Sequence, residues 1–245
     1  MSKFGLIGYP LKHSFSKAYF SSKFEREGLA NFSYENYEMT SLNEIKELIV
    51  NENLAGFNVT IPFKEKIIPF LDELSDEANA IGSVNTVYCR VDGKLIGHNT
   101  DYLAFMQTLK PLLKPYHTQA LILGNGGSSK TVAYVLNLLG IQYQIVTRNP
   151  QEPNHISYEN LLAIDIRNAP LIINTTPLGM FPNVDEKPDL PYAGIDKFHL
   201  LYDLIYNPTI TAFLQEGEHY GAATKNGYDM LIKQAQESWK LWSIK

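Results

Sequence analysis

The sequence predicts an α/β protein of two domains, the first built on a mixed sheet and the second on a doubly wound parallel sheet. Three observations predict it. Short apolar runs alternate with segments of helical period along most of the chain, as parallel strands joined by crossover helices do. A glycine-rich turn joins one such run to an amphipathic helix in "ALILGNGGSSKTVAYVLNLLG", residues 120–140. A polar, proline-containing break, "KPYHTQ" at 114–119, precedes that strand and marks the entry to the second domain. The predicted division is 1–101 for the first domain and 102–227 for the second, with the terminal helix, 228–245, returning to the first.

The elements follow in order. "FGLI" at 4–7 is the first strand. Ser41 and Glu44 form a capping box, and Leu42, Ile45, Leu48 and Ile49 fall on one helical face behind it. "AGFNV" at 55–59 is the next strand; Pro62 ends its pairing and opens a helix at the first turn, where a missing N–H is harmless. "VNTVY" at 84–88 is a strand, and a helix is placed near 102–113. After the strand "ALIL" at 120–123, the helix from about Ser128 presents Val132, Val135, Leu136 and Leu139 on one face and stops at Gly140. "YQIV" at 143–146, "LIIN" at 171–174, "LLYDLI" at 200–205 and "GAAT" at 221–224 complete the strands. "FPNVDEKPDLP" at 181–191 is a surface connection, and 228–242 is the last helix.

Bulk properties bound the function. A chain of 245 residues, 44% hydrophobic and 19% charged, can bury a sizeable core. With 21 Lys and Arg against 26 Asp and Glu, and no basic run, nucleic acid is not an expected partner. Cys89 is the single cysteine, which excludes an intrachain disulfide and argues against structural zinc; no metal is expected. No stretch approaches the roughly 20 apolar residues of a membrane span. The opening "MSKFGLIGYP" is too short in its apolar run for a signal peptide, so a cytoplasmic protein is expected.

The glycine turn carries the clearest mechanical signal. Gly124, Gly126 and Gly127 follow a strand and open a helix, so the backbone can approach a pyrophosphate and the helix N-terminus can hold its charge. This is the context of a Rossmann-like dinucleotide site. Ser129 stands at the third glycine position and is small enough for close packing of helix on strand. The next strand ends in "IVTRNP", where NAD sites carry an acid for the ribose 2′-hydroxyl; here Arg148 follows Thr147 instead. A guanidinium clasps a 2′-phosphate through charge-assisted hydrogen bonds, which favours NADP(H) over NAD.

The first half holds clusters of small polar residues. "GYPLKHSFS" supplies Ser14 and Ser16, which are N-caps or donors to a small carboxylate. "GFNVTIPFK" places Asn58, Thr60 and Lys64 near one strand end; "GSVNTVY" adds Asn85 and Thr86, and "GHNTD" ends in Asp101. Each cluster alone is ordinary turn chemistry. Together, uncharged donors, one amine and one carboxylate suit a polyhydroxylated ring.

"GYPLKHSFS", "GFNVTIPFK", "GSVNT", "GHNTD", "GNGGSSK", "NTTPLGM", "DLIYNPTIT" and "NGYDMLIKQA", in this order from Gly8 to Ala235, resemble the shikimate dehydrogenases. That resemblance implies reduction of 3-dehydroshikimate to shikimate with NADPH, a step of aromatic amino-acid biosynthesis. It implies that Ser14 and Ser16 hold the substrate carboxylate, and that Thr60, Lys64, Asn85, Asp101 and Gln234 contact the ring hydroxyls and reacting carbonyl, with Tyr206 close by. Lys64 and Asp101 are then the catalytic pair, Lys64 supplying the proton and Asp101 orienting it, in a cleft that closes between the domains. Gly124, Gly126, Gly127, Thr147 and Arg148 form the NADP site, and Met180 and Gly227 line its nicotinamide end. The terminal helix returns to the first domain so that Gln234 reaches the substrate. The chain departs from the family at Lys17, often proline, at Phe20, often histidine, and at Thr147-Arg148-Asn149, often Asn-Arg-Thr. A quinate/shikimate dehydrogenase is the nearest alternative, and Ser16, often threonine in quinate enzymes, leans toward shikimate. A non-catalytic nucleotide-sensing homologue is the other, and the retained Lys64 and Asp101 argue against it. The enzyme is expected as a monomer or homodimer.

Overall fold

Alternation along the first strand sets the first layer of structure. In β1 (Ser2–Gly8) Phe4 and Leu6 face one hydrophobic cluster and Ile7 the other, as the two-residue period requires. The computed structural model of the chain describes residues 2–12, 14–162 and 165–243. It falls into two units, one of residues 1–100 with 235–245, the other of residues 101–234. Asp101 and residues 228–234 lie in the second unit.

The first unit contains β1, α1 (Phe15–Arg26), β2 (Phe32–Glu38), α2 (Ile45–Glu52), β3 (Leu54–Val59), β4 (Glu73–Leu74), α3 (Asp76–Ile81), β5 (Thr86–Cys89) and β6 (Leu95–His98). Its sheet runs β2-β1-β3-β5-β6-β4, parallel across β2-β1-β3, antiparallel across β3-β5-β6 and parallel again at β4. One face is covered by a cluster around Ile7, Phe57, Val59 and Val87, the other by an aromatic cluster of Phe4, Phe20, Phe24, Tyr34 and Trp242. Trp242 explains the glycine at 56: a Cβ there would lie 2.6 Å from the indole Cδ1. The indole Nε1 donates to Val87 O at 3.0 Å, fixing the end of the terminal helix on this sheet.

The second unit contains α4 (Asp101–Leu109), β7 (Gln119–Leu123), α5 (Gly127–Leu138), β8 (Gln142–Val146), β9 (His155–Ile156), α6 (Tyr158–Leu161), β10 (Leu171–Asn174), β11 (Leu200–Asp203), α7 (Ala212–His219) and β12 (Ala223–Lys225). The last helix, α8 (Tyr228–Ser243), begins in this unit and ends in the first. The sheet order β9-β8-β7-β10-β11-β12 is wholly parallel and reverses direction of travel between β7 and β10, the doubly wound order of dinucleotide folds. Hydrophobic clusters cover both faces, as a parallel sheet requires.

Several local expectations are corrected. Pro62 opens no helix; residues 61–67 form turns, with Phe63 N donating to Thr60 O at 2.9 Å and Ile67 N to Phe63 O at 2.9 Å, before a 3-10 turn at Ile68–Phe70. The capping box at Ser41 is absent. Ser41 Oγ accepts from Asn43 N at 3.2 Å and the helix starts later, at Ile45, though Leu42 and Ile45 are buried as the helical face required. β2, β4, β6 and β9 were not anticipated. Gly140, with φ +69°, ends α5 as expected.

Candidate active site

In the first unit, strand directions gather the polar motifs at one sheet edge. β1 and β3 are parallel, so the segments that follow them, beginning at Tyr9 and at Thr60, leave together, and Tyr9 N donates to Ile61 O at 3.0 Å. β5 is antiparallel to β3 with Thr86 opposite Asn58, and β6 is antiparallel to β5 with His98 opposite Thr86. Residues 83–85 and 99–100 therefore reach the same edge. Val84 N donates to Lys64 O and Val59 N to Asn85 O, both at 2.8 Å.

Ser14 takes the N-cap position of α1 but makes no capping bond, and its buried Oγ has no hydrogen-bond partner among the described residues. The capping alternative for Ser14 is thereby removed. A buried hydroxyl without a partner carries a desolvation penalty of about 1–3 kcal/mol, which a bound acceptor would relieve. Ser16 is buried beside the Tyr34 hydroxyl, whose pKa is pushed up by burial, an effect the Ser16 hydroxyl opposes. Thr60 and Lys64 are half-buried in the turns after β3.

Asn85 is buried and held firmly: its Oδ1 accepts from Thr100 N at 2.6 Å, and its Nδ2 donates to Thr100 Oγ1 at 3.0 Å. Asn58, which resembled a ligand donor in the sequence, is fully engaged inside the unit. Its Oδ1 accepts from Tyr34 OH at 2.8 Å, and its Nδ2 lies within reach of Asn85 O, Thr86 Oγ1 and Ser238 Oγ. The buried hydroxyls of Thr86, Thr100 and Ser238 close this network, with Thr86 and Ser238 2.8 Å apart. Asn58 and Thr86 thus orient the edge rather than present donors at it. Asp101, only 7% exposed, is the first residue of α4 in the second unit.

In the second unit, all strands point one way, so the loops after β7, β8, β10, β11 and β12 share one edge, the usual ligand edge of an open α/β sheet. Gly124 has φ +105°, and a Cβ on it would lie 2.8 Å from Thr175 Oγ1 in the loop after β10. Gly126 is the N-cap of α5 and its missing Cβ would meet nothing within 4 Å. Gly127 opens the helix, and Ser129 packs with no exposure, its Oγ without a hydrogen-bond partner among the described residues. Open backbone at a helix N-terminus fits a pyrophosphate. Thr147 and the exposed Arg148 follow β8, and Arg148 is near enough to Tyr158 to lower its phenol pKa against the larger raising effect of burial. This donor set fits a 2′-phosphorylated dinucleotide.

Met180, 43% exposed, lies in the loop after β10. Tyr206 is half-buried after β11, and Gly227 precedes α8 with its N–H donating to Ile205 O at 3.0 Å. Gln234, on α8, donates from Nε2 to Leu231 O at 3.0 Å. Two residues with no role in the sequence reading organise these loops. Asn174 and Asp203, both with no exposure, end β10 and β11 and are joined from Nδ2 to Oδ1 at 3.1 Å. Their signal was present in "NTTPLGM" and "DLIYNPTIT", each of which opens on one of them. Among the described residues no cluster of His, Cys, Asp and Glu could hold a metal, and no helix is long and apolar enough to cross a membrane.

Comparison with known proteins adds four findings. Residues 6–87 match a family model described as the shikimate dehydrogenase substrate binding domain. A shikimate dehydrogenase (NADP(+)) of Desulforamulus reducens is 35% identical, covering 98% of this chain and 89% of its own. Among solved structures, shikimate dehydrogenase 1 from Peptoclostridium difficile superposes with a TM-score of 0.88 at 36% identity, covering 99% of this chain and 91% of that one. Shikimate 5-dehydrogenase from Thermus thermophilus, in complex with NADP(H) and shikimate, gives 0.86 at 33% identity, covering 99% and 94%.

Proposed function

The chain belongs to the shikimate dehydrogenase family, and from that premise we propose that it reduces 3-dehydroshikimate to shikimate with NADPH. In this reading the first unit binds the substrate and the second the coenzyme. The observation that carries it is the buried hydroxyl of Ser14, which has no hydrogen-bond partner among the described residues, at a sheet edge already crowded with ordered donors. Such an edge suits a ligand bearing one carboxylate and several hydroxyls.

NADPH, when bound, supplies the hydride to the carbonyl carbon. The chain supplies everything else. Ser14 and Ser16 donate to the carboxylate, while Thr60, Asn85, Tyr206 and Gln234 fix the ring through its hydroxyls. Lys64 donates to the carbonyl oxygen, stabilises the negative charge that grows there, and delivers its proton to it. In the oxidative direction the neutral amine takes that proton back. Asp101 accepts from a ring hydroxyl. Gly124, Gly126 and Gly127 admit the pyrophosphate, Thr147 and Arg148 bind the 2′-phosphate, and Met180 and Gly227 bound the nicotinamide end. An ammonium performs the polarisation, so the scheme calls for no metal. The cytoplasm suits such a metabolic reaction, and neither nucleic acid nor a membrane takes part.

Initial rates followed by nicotinamide absorbance, with shikimate or quinate against NADP+ or NAD+, test this reading. The shikimate and NADP+ pair is expected to give the highest kcat/KM. Preference for quinate would select the quinate dehydrogenase alternative, and no turnover with any pair would select the nucleotide-sensing one.

A further inference from the structure

Asp203 is a buried carboxylate that the proposed chemistry does not use. It ends β11 with no solvent exposure, and among the described residues no cation pairs with it. Its charge is met instead by neutral donors from three segments. Asn174 Nδ2, at the end of β10, and Ile205 N, in the loop after β11, reach Oδ1 at 3.1 and 3.0 Å. Thr211 Oγ1, the N-cap of α7, reaches Oδ2 at 2.6 Å and also accepts from Leu214 N at 3.3 Å.

The donor pattern leaves no freedom. Asn174 Oδ1 accepts from Thr176 N at 3.0 Å and Thr176 Oγ1 at 2.7 Å, so its amide must turn Nδ2 toward Asp203. Only an acceptor at 203 satisfies the Asn174 amide and the Ile205 N–H together. The connections extend outward. Ile205 O accepts from Gly227 N at 3.0 Å, Asn207 O accepts from Phe181 N at 3.1 Å, and the would-be Cβ of Gly124 lies against Thr175 and Thr176. Every loop at this edge that carries Met180, Tyr206 or Gly227 is therefore one or two hydrogen bonds from a single carboxylate.

We infer that Asp203 is a positioning residue for the coenzyme site, fixing the loops after β10 and β11 against one another and thereby the seats of Met180, Tyr206 and Gly227. Burial raises its carboxyl from 3.8 to about 6, the mark of a charge kept out of water by its surroundings. The inference rests on the placement of NADP(H) along this edge under the proposed function.

Calorimetric titration of the full chain with NADP+, combined with hydrogen exchange read over 174–181 and 203–211, tests it. Asp203→Ala should weaken NADP+ binding about tenfold or more and speed exchange in both loops. Asp203→Asn keeps an acceptor for Ile205 and Asn174 and turns an amide toward Thr211 Oγ1, so it should restore binding to within about threefold. Leu200→Ala, at the opposite end of β11 and 1% exposed, serves as the structural control. It should lower the melting temperature and leave the NADP+ affinity within about threefold. Should Asp203→Ala fail to fold, Thr211→Val removes the Oδ2 donor, together with the cap on Leu214 N, and should move affinity and exchange in the same direction. Wild-type affinity and wild-type loop exchange in Asp203→Ala, or in Thr211→Val, would overturn the inference. Absence of NADP+ binding to the wild-type chain would overturn the functional reading instead, and exchange in the ligand-free variants would still decide whether Asp203 holds the loops.

Discussion

Two glycines at the same sheet edge predict opposite outcomes when each receives a methyl group. At Gly227 an added Cβ would lie 2.6 Å from the carbonyl carbon of Leu204 and 3.1 Å from its Cα, with the carbonyl oxygen nearer still. Carbon atoms rest at about 3.5–4.0 Å, so the backbones of residues 204 and 227 must part by about 1 Å. All three contacts are main chain, so no side chain can rotate away. Overpacking of this kind costs about 1–3 kcal/mol, and the parting also lengthens the 3.0 Å bond from Gly227 N to Ile205 O, adding about 1 kcal/mol. Gly227→Ala should therefore destabilise the second unit by about 3 kcal/mol, a fall in melting temperature of roughly 6–12 °C for a protein of this size. At Gly126 an added Cβ meets nothing within 4 Å, and φ −108° with ψ −173° is open to any residue. Gly126→Ala should melt within about 1 °C of wild type, yet under the proposed function the methyl would stand where the pyrophosphate approaches, so NADP+ affinity should fall about tenfold or more. Thermal unfolding by circular dichroism and calorimetric NADP+ titration read both. A wild-type melting temperature for Gly227→Ala, or unchanged NADP+ affinity for Gly126→Ala, would refute the reasoning.

Three further outcomes are expected. Arg148→Ala should cost about 1.5–3 kcal/mol of NADP(H) binding, a roughly 10- to 150-fold rise in its Michaelis constant, with little change for NAD(H); equal effects on both coenzymes would remove Arg148 from the 2′-phosphate. Ser14→Ala deletes a buried hydroxyl that has no partner among the described residues, so chemical denaturation should show no loss of stability while the shikimate Michaelis constant rises about tenfold; a clear loss of stability would mean that this hydroxyl is bonded within the fold. Asp203 carries a folded pKa raised from 3.8 to about 6, so the stability it contributes is complete below about pH 4 and lost as pH rises to about 6. Relative to Asp203→Asn, whose side chain does not titrate, wild-type stability should fall by about 3 kcal/mol across that window and stay level above it; parallel pH profiles would contradict the shift.

The parts of this molecule legible in its sequence were those written over short distances. The glycine turn, its strand and helix, and the apolar runs of the parallel sheet each declare themselves within a few residues, and the polar motifs name most of the candidate site. What was missed depends on partners far along the chain. β2 reads "FSYENYE", a polar stretch with only Tyr34 fully buried, because it is an edge strand supported on one side by β1. β6 is four residues with a glycine, too short to stand out before its pairing with β5 is known. Asn58 looked like a ligand donor because Asn at a strand end often is; its engagement with Tyr34 and Ser238 rests on contacts 24 and 180 residues away. Asp203 and Asn174 each open a motif, but their pairing across 29 residues, through which one carboxylate holds several loops, is not written in either motif.

The central claim is that the ammonium of Lys64 delivers the proton at the reacting oxygen. Its most direct test is kcat of Lys64→Ala, measured beside shikimate affinity by calorimetry in the same variant. The account predicts turnover lowered about 10²–10⁴-fold with shikimate binding kept within about tenfold. Turnover near the wild-type rate in a variant lacking that amine would contradict it.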